Sequence, residues 1–310
     1  MAIVRKKKGV QSPVKKITAP KTTVTLPTAL PTQKSKPASD LRDYTWLIHG
    51  DKKIGKTSLC SHFDNALIAM FEPGGKGLSI YQTDLITDWS QLRAYVDLLE
   101  SGYKAGTLTY RTFVIDPGNR AYDLCLDWVC RSVGVKHPHD ANDFGKTWRM
   151  VSSEFQKIHE RIAAIGMGFI VLAHDKVIEV ENRDNEKLSR TVPVLTGSTE
   201  EFYAGVIDII GHYHYIKEER FLQIRGDEHV QAGNRCERNF LTPSGTPVVR
   251  IPMGRSSKQA YDNVVSAFNN EQLNACKTPE VALNFARGGK AVTSAKAKLM
   301  KRGTLVRRKG

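Results

Sequence analysis

The sequence predicts an α/β protein with a mostly parallel central sheet covered by helices. Two observations lead to this class. Short runs of apolar, aromatic and β-branched residues alternate with amphipathic segments of helical length through the first half of the chain. The second half holds shorter runs set close together, which is typical of antiparallel pairing. The chain has 310 residues, of which 40% are hydrophobic, enough for one core of roughly 200 residues or more.

Strands and helices are expected to alternate between residues 44 and 173, because strands joined through helices pair in parallel by right-handed crossovers. The expected strands are short apolar runs: Tyr44–His49, Ala66–Phe71, Thr112–Asp116 and Gly168–Ala173. The expected helices are Thr57–Phe63, Trp89–Glu100, Ala121–Val133 and Trp148–Ile165. The clearest of them has Leu92, Val96 and Leu99 at helical spacing and Asp88 as its cap.

Beyond Asp175 the pattern changes to antiparallel strands and then to short helices. A hairpin is expected from Lys176–Glu181 and Ser189–Val194, around the turn residues 182–185. Val206–Tyr215 and Arg220–Ile224 are expected to pair across residues 217–219. Residues 256–268 and 279–286 read as helices, the second opened by Pro279.

The positive charge of the chain is concentrated at its two ends. The net charge is +14, yet residues 1–39 carry nine Lys or Arg and no acid, and residues 281–310 carry nine more and no acid. We therefore divide the chain into a disordered basic arm (1–40), a folded core (41–254), short helices (255–286) and a disordered basic tail (287–310).

Basic arms of this composition attract nucleic-acid phosphates, and solubilising tails or partner-docking peptides are the alternatives. Within the core, the hairpin loop with Arg183, Lys187 and Arg190 and the loop at 135–147 are further candidate contacts for nucleic acid. These core loops carry as many acids as bases and few aromatic groups on which bases can stack. The prediction of DNA binding therefore depends mainly on the tails.

Several other classes of function are excluded or disfavoured. No apolar run approaches the roughly 20 residues that span a bilayer, and no membrane partner is expected. The five cysteines show no C-x-x-C spacing, so we expect reduced thiols in a cytoplasmic protein. His137-Pro-His139-Asp140 and His212-Tyr-His214 are too short to build a zinc site, and no metal beyond magnesium is expected.

Residues 50–57 fit the phosphate-loop pattern G-x-x-x-x-G-K-[ST] at every fixed position. Between an expected strand and an expected helix, this pattern predicts a nucleoside triphosphate as ligand. Lys56 is expected to reach the β- and γ-phosphates, and the Thr57 hydroxyl to bind Mg²⁺. The expected binding residues are those of the loop and the helix start: Gly50, Asp51, Lys52, Lys53, Ile54, Gly55, Lys56, Thr57 and Ser58.

Three polar residues follow apolar runs where ligands bind in a parallel sheet, at the carboxyl ends of the strands. Asp116 closes Phe-Val-Ile-Asp and is expected to hold Mg²⁺; the alternative is an Asp that caps a turn. Glu72 is a candidate base for the attacking water, or else an exposed loop residue. His174 is a candidate sensor of the γ-phosphate, or else a structural histidine.

Four motifs resemble those of the RecA-like ATP-binding proteins of bacteriophages, some of which are grouped as single-strand-annealing or recombination ATPases: Gly50–Thr57, Phe71–Lys76, Phe113–Asp116 and Val171–Asp175. The resemblance covers about residues 44–240. It implies a RecA-like core, ATP and Mg²⁺ as ligands, single-stranded DNA as partner, and a ring or filament of identical subunits.

The same resemblance assigns roles to individual residues. It makes Lys56 and Thr57 the phosphate and magnesium ligands, Asp116 a magnesium ligand, Glu72 the base and His174 the sensor. It also matches Arg235 to an arginine that reaches a neighbouring subunit's nucleotide, with a surface charge as the alternative; Gly233 stands where such proteins carry a lysine.

The sequence thus favours a RecA-like phage ATPase that acts on single-stranded DNA in recombination, repair or replication. Three alternatives stay open. They are an ATP-driven loader or motor for another phage replication protein, a DNA-annealing module with little ATP turnover, and a small-molecule kinase.

Overall fold

The structure, a computed structural model, describes residues 30, 32–181, 184–195 and 197–273, and its elements lie in the compact unit that begins at Ala38. The strands are β1 (Thr45–Gly50), β2 (Ala66–Met70), β3 (Tyr81–Gln82), β4 (Thr112–Asp116), β5 (Gly168–Ala173), β6 (Asp175–Glu181), β7 (Lys187–Pro193), β8 (Ile209–Ile216), β9 (Glu219–Gln223), β10 (Gly233–Asn234) and β11 (Arg250–Pro252). The α-helices are α1 (Lys56–Cys60), α2 (Trp89–Lys104), α3 (Gly118–Val133), α4 (Lys146–Ala164), α5 (Gly197–Val206) and α6 (Ser257–Phe268). Short 3-10 helices occupy Leu41–Asp43 and Pro138–Ala141.

Nine strands form one sheet in the order β11-β9-β8-β1-β5-β4-β2-β3, and β10 pairs with β8 beside this path. The strands from β8 through β1, β5, β4 and β2 to β3 pair in parallel. The pairs β8–β9, β9–β11 and β8–β10 are antiparallel. β6 and β7 form a separate hairpin directly after β5. The predicted class, a mostly parallel α/β sheet with antiparallel strands in the second half, is confirmed.

The central strands send alternate residues to opposite faces, as buried parallel strands do. On β5, Phe169 and Val171 enter a core shared with α2, α3 and α4, whereas Ile170 and Leu172 enter a second core shared with α1 and α6. Both cores are dry and apolar, so the sheet is fixed from both sides. The loops at its carboxyl edge are therefore carried by a rigid frame.

Most expected elements are present with shifted ends. The predicted helix Ala121–Val133 begins three residues earlier, at Gly118, and the helix expected at 256–268 is α6, capped by Ser256. Asp88 caps α2 as predicted, in a capping box with Gln91. The hairpin expected after His174 is present as β6 and β7.

Two expectations were wrong. Val206 does not begin a strand: it ends α5, and β8 starts only at Ile209. The helix after the phosphate loop ends at Cys60 rather than at Phe63, because turns occupy residues 61–65 before β2.

The short strands β3, β10 and β11 were not predicted. The helix expected at 279–286, the whole of the predicted basic tail (287–310) and most of the predicted basic arm (1–40) lie outside the described residues.

Among the described residues, no helix is both long enough and apolar enough to cross a bilayer. Cys60, Cys125, Cys130 and Cys236 are buried free thiols. Burial raises the pKa of the Cys236 thiol to about 11, which disfavours the reactive thiolate.

Candidate nucleotide-binding site

The phosphate loop connects β1 to α1 in a conformation that needs glycine at both of its ends. Gly50 has a φ of 156° and Gly55 a φ of 111°. A Cβ on Gly50 would lie 2.1 Å from the backbone oxygen of Tyr213 on the adjacent strand β8. Between the two glycines, Lys52 and Lys53 are exposed, while Ile54 is buried. The loop is thus anchored by one apolar side chain and open to solvent elsewhere.

Lys56 is buried beneath this loop, with 7% of its surface exposed. Its Nζ donates to the backbone oxygens of Gly50 at 2.6 Å and Asp51 at 2.8 Å. Burial lowers the pKa of Lys56, while Asp116 and other acids nearby oppose that shift. The ammonium group is therefore held by backbone carbonyls of the loop, and a phosphate can replace these carbonyls as its hydrogen-bond acceptors.

Thr57 and Asp116 meet at the carboxyl edge of the sheet. Thr57 Oγ1, in the first turn of α1, donates to Asp116 Oδ2 at 2.6 Å. Burial raises the pKa of the Asp116 carboxyl, and the hydrogen bond from Thr57 and the charge of Lys56 oppose that shift. A hydroxyl and a carboxylate are oxygen ligands of the kind that Mg²⁺ prefers. The two residues expected to hold Mg²⁺ are thus in direct contact.

Glu72 and His174 face each other across the same edge. Glu72 Oε2 and His174 Nε2 are 3.8 Å apart, too far for a hydrogen bond, and about half of the Glu72 side chain is exposed. Burial and the nearby charge of Lys56 lower the pKa of His174, so its ring is neutral at pH 7. Both ring nitrogens are buried without a hydrogen-bond partner within the described part of the chain. Such a ring can hydrogen-bond to an incoming ligand.

These residues surround one cleft of about 410 Å³. Its lining comes from the phosphate loop, α1, β2 with its following loop, β4 and the residue after β5: Lys52, Lys53, Gly55, Lys56, Thr57, Ser58, Met70, Glu72, Pro73, Gly74, Gly75, Gly77, Leu78, Asp116 and His174. Gly50, Asp51 and Ile54 of the predicted binding set do not line it. The donor chemistry suits a triphosphate, since Lys56 supplies positive charge, and suits Mg²⁺, since Thr57 and Asp116 supply oxygens.

Arg235 is not in this cleft. One of its guanidinium nitrogens, Nη2, donates to the backbone oxygens of Ala204 and Gly205, both at 3.0 Å. These carbonyls belong to the last turn of α5, where a cation is favourable. The subunit therefore does not bring Arg235 to its own nucleotide cleft, and a role toward a neighbouring subunit stays a prediction.

Arg220 holds the outer side of the phosphate loop, and no sequence pattern pointed to it. Its Nη1 donates to the backbone oxygen of Ile54 at 3.3 Å, and its Nη2 to that of Gly254 at 3.0 Å. The guanidinium thus links the loop to the segment before α6. Arg220 reaches the loop because β9 lies beside β8, which lies beside β1, an order that is set by the tertiary fold.

Aromatic rings gather at the start of α4, where the sequence suggested few. His137 and His139 stack at 4.9 Å, and both meet the Trp148 ring edge to face at 5.4 and 5.5 Å. Phe144 beside them is fully exposed. Because α4 runs back along the sheet before β5, its first turn lies toward the carboxyl edge, where the nucleotide loop is. These four rings are called the aromatic patch below.

Charges of both signs lie around the aromatic patch. Lys146 and Arg149 begin α4. Asp140 accepts a hydrogen bond from His137 N at 3.0 Å. Asp143 accepts hydrogen bonds from Thr147 N at 2.9 Å and Thr147 Oγ1 at 2.6 Å, and therefore serves as a cap of the helix. Of the predicted hairpin contacts, Lys187 and Arg190 lie on β7, and Arg183 is outside the described residues.

Fold and site together define a class. The phosphate loop connects a strand to a helix, and Lys56 lies beneath it. Asp116 lies two strands away, beside Thr57. This arrangement defines a P-loop NTPase domain of the RecA-like type. The family model described as "AAA domain" (AAA_24) matches residues 42–236. The chain belongs to this family.

Among solved structures, the chain is similar to a KaiC-like protein from the hyperthermophilic archaeon Pyrococcus horikoshii. The two share 11% sequence identity over 68% of this chain and 85% of the other, with a TM-score of 0.35. A TM-score this low supports no inference about the ligands of this chain. No curated protein matches the sequence.

Proposed function

We propose that the protein is a magnesium-dependent ATPase that acts on single-stranded DNA in the recombination, repair or replication of a bacteriophage. The observation that carries the ATPase part is the convergence of Lys56, Thr57, Asp116, Glu72 and His174 on one cleft. The DNA part is supported by the aromatic patch and by the basic composition of both chain ends.

Each residue of the cleft has its own role in phosphate transfer. Lys56 exchanges its two carbonyl partners for phosphate oxygens of ATP and stabilises the charge that moves onto them. The Thr57 hydroxyl and the Asp116 carboxylate hold Mg²⁺, which supplies charge neutralisation of the phosphates when it is bound. A water molecule is the nucleophile that attacks the γ-phosphate.

Glu72 accepts the proton of the attacking water, since its carboxylate lines the cleft opposite the loop. His174 contacts the terminal phosphate and is followed at once by β6. A change in the position of His174 on hydrolysis is therefore passed directly to the β6–β7 hairpin. We infer that this connection couples the nucleotide state to DNA affinity.

Single-stranded DNA binds through charge and stacking, because neutralised phosphates supply affinity and exposed rings hold successive bases. The aromatic patch offers both exposed rings and nearby cations: Phe144 is fully exposed, and Lys146 and Arg149 begin α4, while Asp140 and Asp143 accept hydrogen bonds from within this segment. The hairpin, with Lys187 and Arg190, offers a second contact.

Fluorescence anisotropy with labelled oligonucleotides tests the DNA proposal. Phe144→Ala is expected to weaken single-strand binding by about 1–3 kcal/mol per lost stacking contact, or roughly 5- to 150-fold. Tyr103→Ala is the matched control, because Tyr103 is also an exposed ring but lies at the end of α2. Equal affinity of both variants and of the unchanged protein for single-stranded DNA would show that the aromatic patch is not part of the DNA-binding surface.

A second candidate is a DNA-annealing module that binds ATP and scarcely hydrolyses it. The exposure of Glu72, without a hydrogen bond to His174, favours this candidate, because an effective base needs a fixed geometry. In that case single-turnover hydrolysis is negligible while annealing is intact. A loader or motor for another phage protein is distinguished by a turnover that depends on that partner rather than on DNA.

A further inference from the structure

His49, Asp175 and His212 form a cluster of potential metal ligands outside the nucleotide cleft. His49 and His212 are register partners on β1 and β8, and Asp175 opens β6. Each side chain offers one ligand atom, and these atoms lie within 4.8 Å of one another. Sequence analysis predicted no zinc site at His212-Tyr-His214, because two histidines this close along the chain lack a third ligand.

The hydrogen bonds of the cluster leave nitrogen lone pairs unused. His49 is fully buried, and its Nε2 donates to the backbone oxygen of Gln231 at 2.7 Å, which leaves Nδ1 as the unprotonated nitrogen. The Nδ1 atoms of His49 and His212 are both buried and have no hydrogen-bond partner among the described residues. A buried nitrogen without a partner is unfavourable, so a bound ligand would stabilise this arrangement.

We propose that His49, Asp175 and His212 bind a first-row divalent transition metal of the zinc class. Two imidazoles and one carboxylate are a ligand set that such ions accept, whereas Mg²⁺ prefers oxygen alone. His49 Nε2 donates to the Gln231 carbonyl, and a hydrogen bond of this kind from the nitrogen that does not bind the metal orients a metal-binding histidine.

Binding requires one local rearrangement. The His49 and His212 rings are stacked, with centroids 4.8 Å apart and 25° between their planes, and an imidazole binds metal in the plane of its ring. The His212 ring therefore turns out of the stack. The turn breaks a weak hydrogen bond, since His212 Nε2 and Asp175 Oδ2 are 3.2 Å apart, the upper end of the usual range. It also separates the His212 ring from the His214 ring, whose centroid lies 4.6 Å away.

The position of the cluster indicates what the ion does. It joins the end of β1, which leads into the phosphate loop, to β8 and to the root of the β6–β7 hairpin. Gln231, which holds His49, also donates its backbone N–H to Thr191 of that hairpin at 2.9 Å. The metal thus fixes the hairpin base against the strand that carries the nucleotide loop, and it is a structural ion rather than part of the hydrolysis site.

Zinc binding to the nucleotide-free full-length protein tests this proposal, measured by competition with a chromophoric chelator in millimolar Mg²⁺, which saturates oxygen sites. We expect one zinc equivalent whose affinity falls in His212→Asn and in Asp175→Ala by more than the roughly 10- to 100-fold that loss of a hydrogen-bond partner of a ligand costs. His62→Asn is the control, because His62 contacts Ser257 rather than the cluster, and it is expected to bind zinc normally.

A second measurement covers the case in which a variant fails to fold. Co²⁺ bound to the unchanged protein is expected to give the d–d absorption of nitrogen and oxygen ligation without a thiolate charge-transfer band, and zinc is expected to raise the Tm. Absence of a bound equivalent, a thiolate band, or equal affinity in folded His212→Asn, Asp175→Ala and His62→Asn would overturn the proposal. None of these readouts depends on ATP hydrolysis, so the proposed function can fail independently.

Discussion

Thr57 Oγ1 donates a 2.6 Å hydrogen bond to Asp116 Oδ2, so the first turn of α1 is tied to the end of β4 across the intervening strand β5. The same bond supplies the buried carboxylate with a donor that partly offsets the cost of its burial. The two residues that we assign to Mg²⁺ thus form a contact that stabilises the fold while keeping a costly charge in the cleft.

Asp116→Asn is expected to stabilise the free protein and to abolish hydrolysis. Burial raises the pKa of Asp116 in the folded state, so its ionised form costs stability above that pKa, and the cost vanishes below the unfolded value of 3.8. The Tm of Asp116→Asn should therefore exceed that of the unchanged protein at pH 7, and the difference should shrink toward pH 4. Thermal denaturation checks this prediction. A lower Tm of Asp116→Asn than of the unchanged protein at pH 7 would show that burial of the ionised carboxylate does not destabilise the fold.

Glu72→Gln is expected to lower the rate of ATP hydrolysis by about 10²- to 10⁴-fold, because an amide cannot accept the proton of the attacking water. ATP affinity should stay within about twofold, since about half of the Glu72 side chain is exposed and its carboxylate faces His174. Single-turnover hydrolysis and equilibrium binding separate the two effects. An unchanged rate would exclude Glu72 as the base.

Arg235 is expected to act on the nucleotide of a neighbouring subunit, since in its own subunit it binds the end of α5. Hydrolysis per subunit should then rise with protein concentration, and Arg235→Ala should be nearly inactive at every concentration. A mixture of Arg235→Ala and Lys56→Ala should recover activity, because a mixed interface joins an intact Lys56 to an intact Arg235. No recovery on mixing would leave Arg235 a surface cation.

Acid is expected to destabilise the protein through His159. This ring is fully buried, with Nδ1 donating to Phe155 O at 2.7 Å and Nε2 accepting from the Tyr203 hydroxyl at 2.8 Å. Burial lowers its pKa from 6.5 to about 4. Between these values the unfolded state binds the proton and the folded state does not. The free energy of unfolding therefore decreases as the pH is lowered, by up to about 3 kcal/mol.

Urea unfolding between pH 7 and pH 4 measures this effect. His159→Gln should be less stable at pH 7 but should lose stability less steeply over that range, because it removes the proton that only the unfolded state accepts. An equal slope in both proteins would show that other groups govern the acid transition.

The sequence predicted the parts of the structure that have a strong local signal. The runs from Trp46 to Ile48 and from Gly168 to Ala173 are apolar because both faces of each strand are buried, and this pattern needs no tertiary knowledge. The phosphate loop is equally local, since its glycines and Lys56 are fixed by backbone geometry and charge.

The missed features arise from tertiary structure. α5 was read partly as strand because Val206 adjoins an apolar run, although the helix is stabilised by Tyr203, which packs inside the core. β3 and β10 have two residues each, too few for periodicity to show. Arg220 reaches the phosphate loop, and His49 meets His212, only because of the order of strands in the sheet.

The central claim is best tested by measuring ATP hydrolysis with and without single-stranded DNA. Lys56→Ala should bind ATP about 10- to 100-fold more weakly and show no turnover, because it removes a charge-assisted bond to phosphate. Lys52→Ala, an exposed lysine of the same loop, is the control. We predict DNA-stimulated turnover in the unchanged protein and in Lys52→Ala, and none in Lys56→Ala. Turnover that is indifferent to DNA, or that survives in Lys56→Ala, would contradict a DNA-coupled ATPase built on this loop.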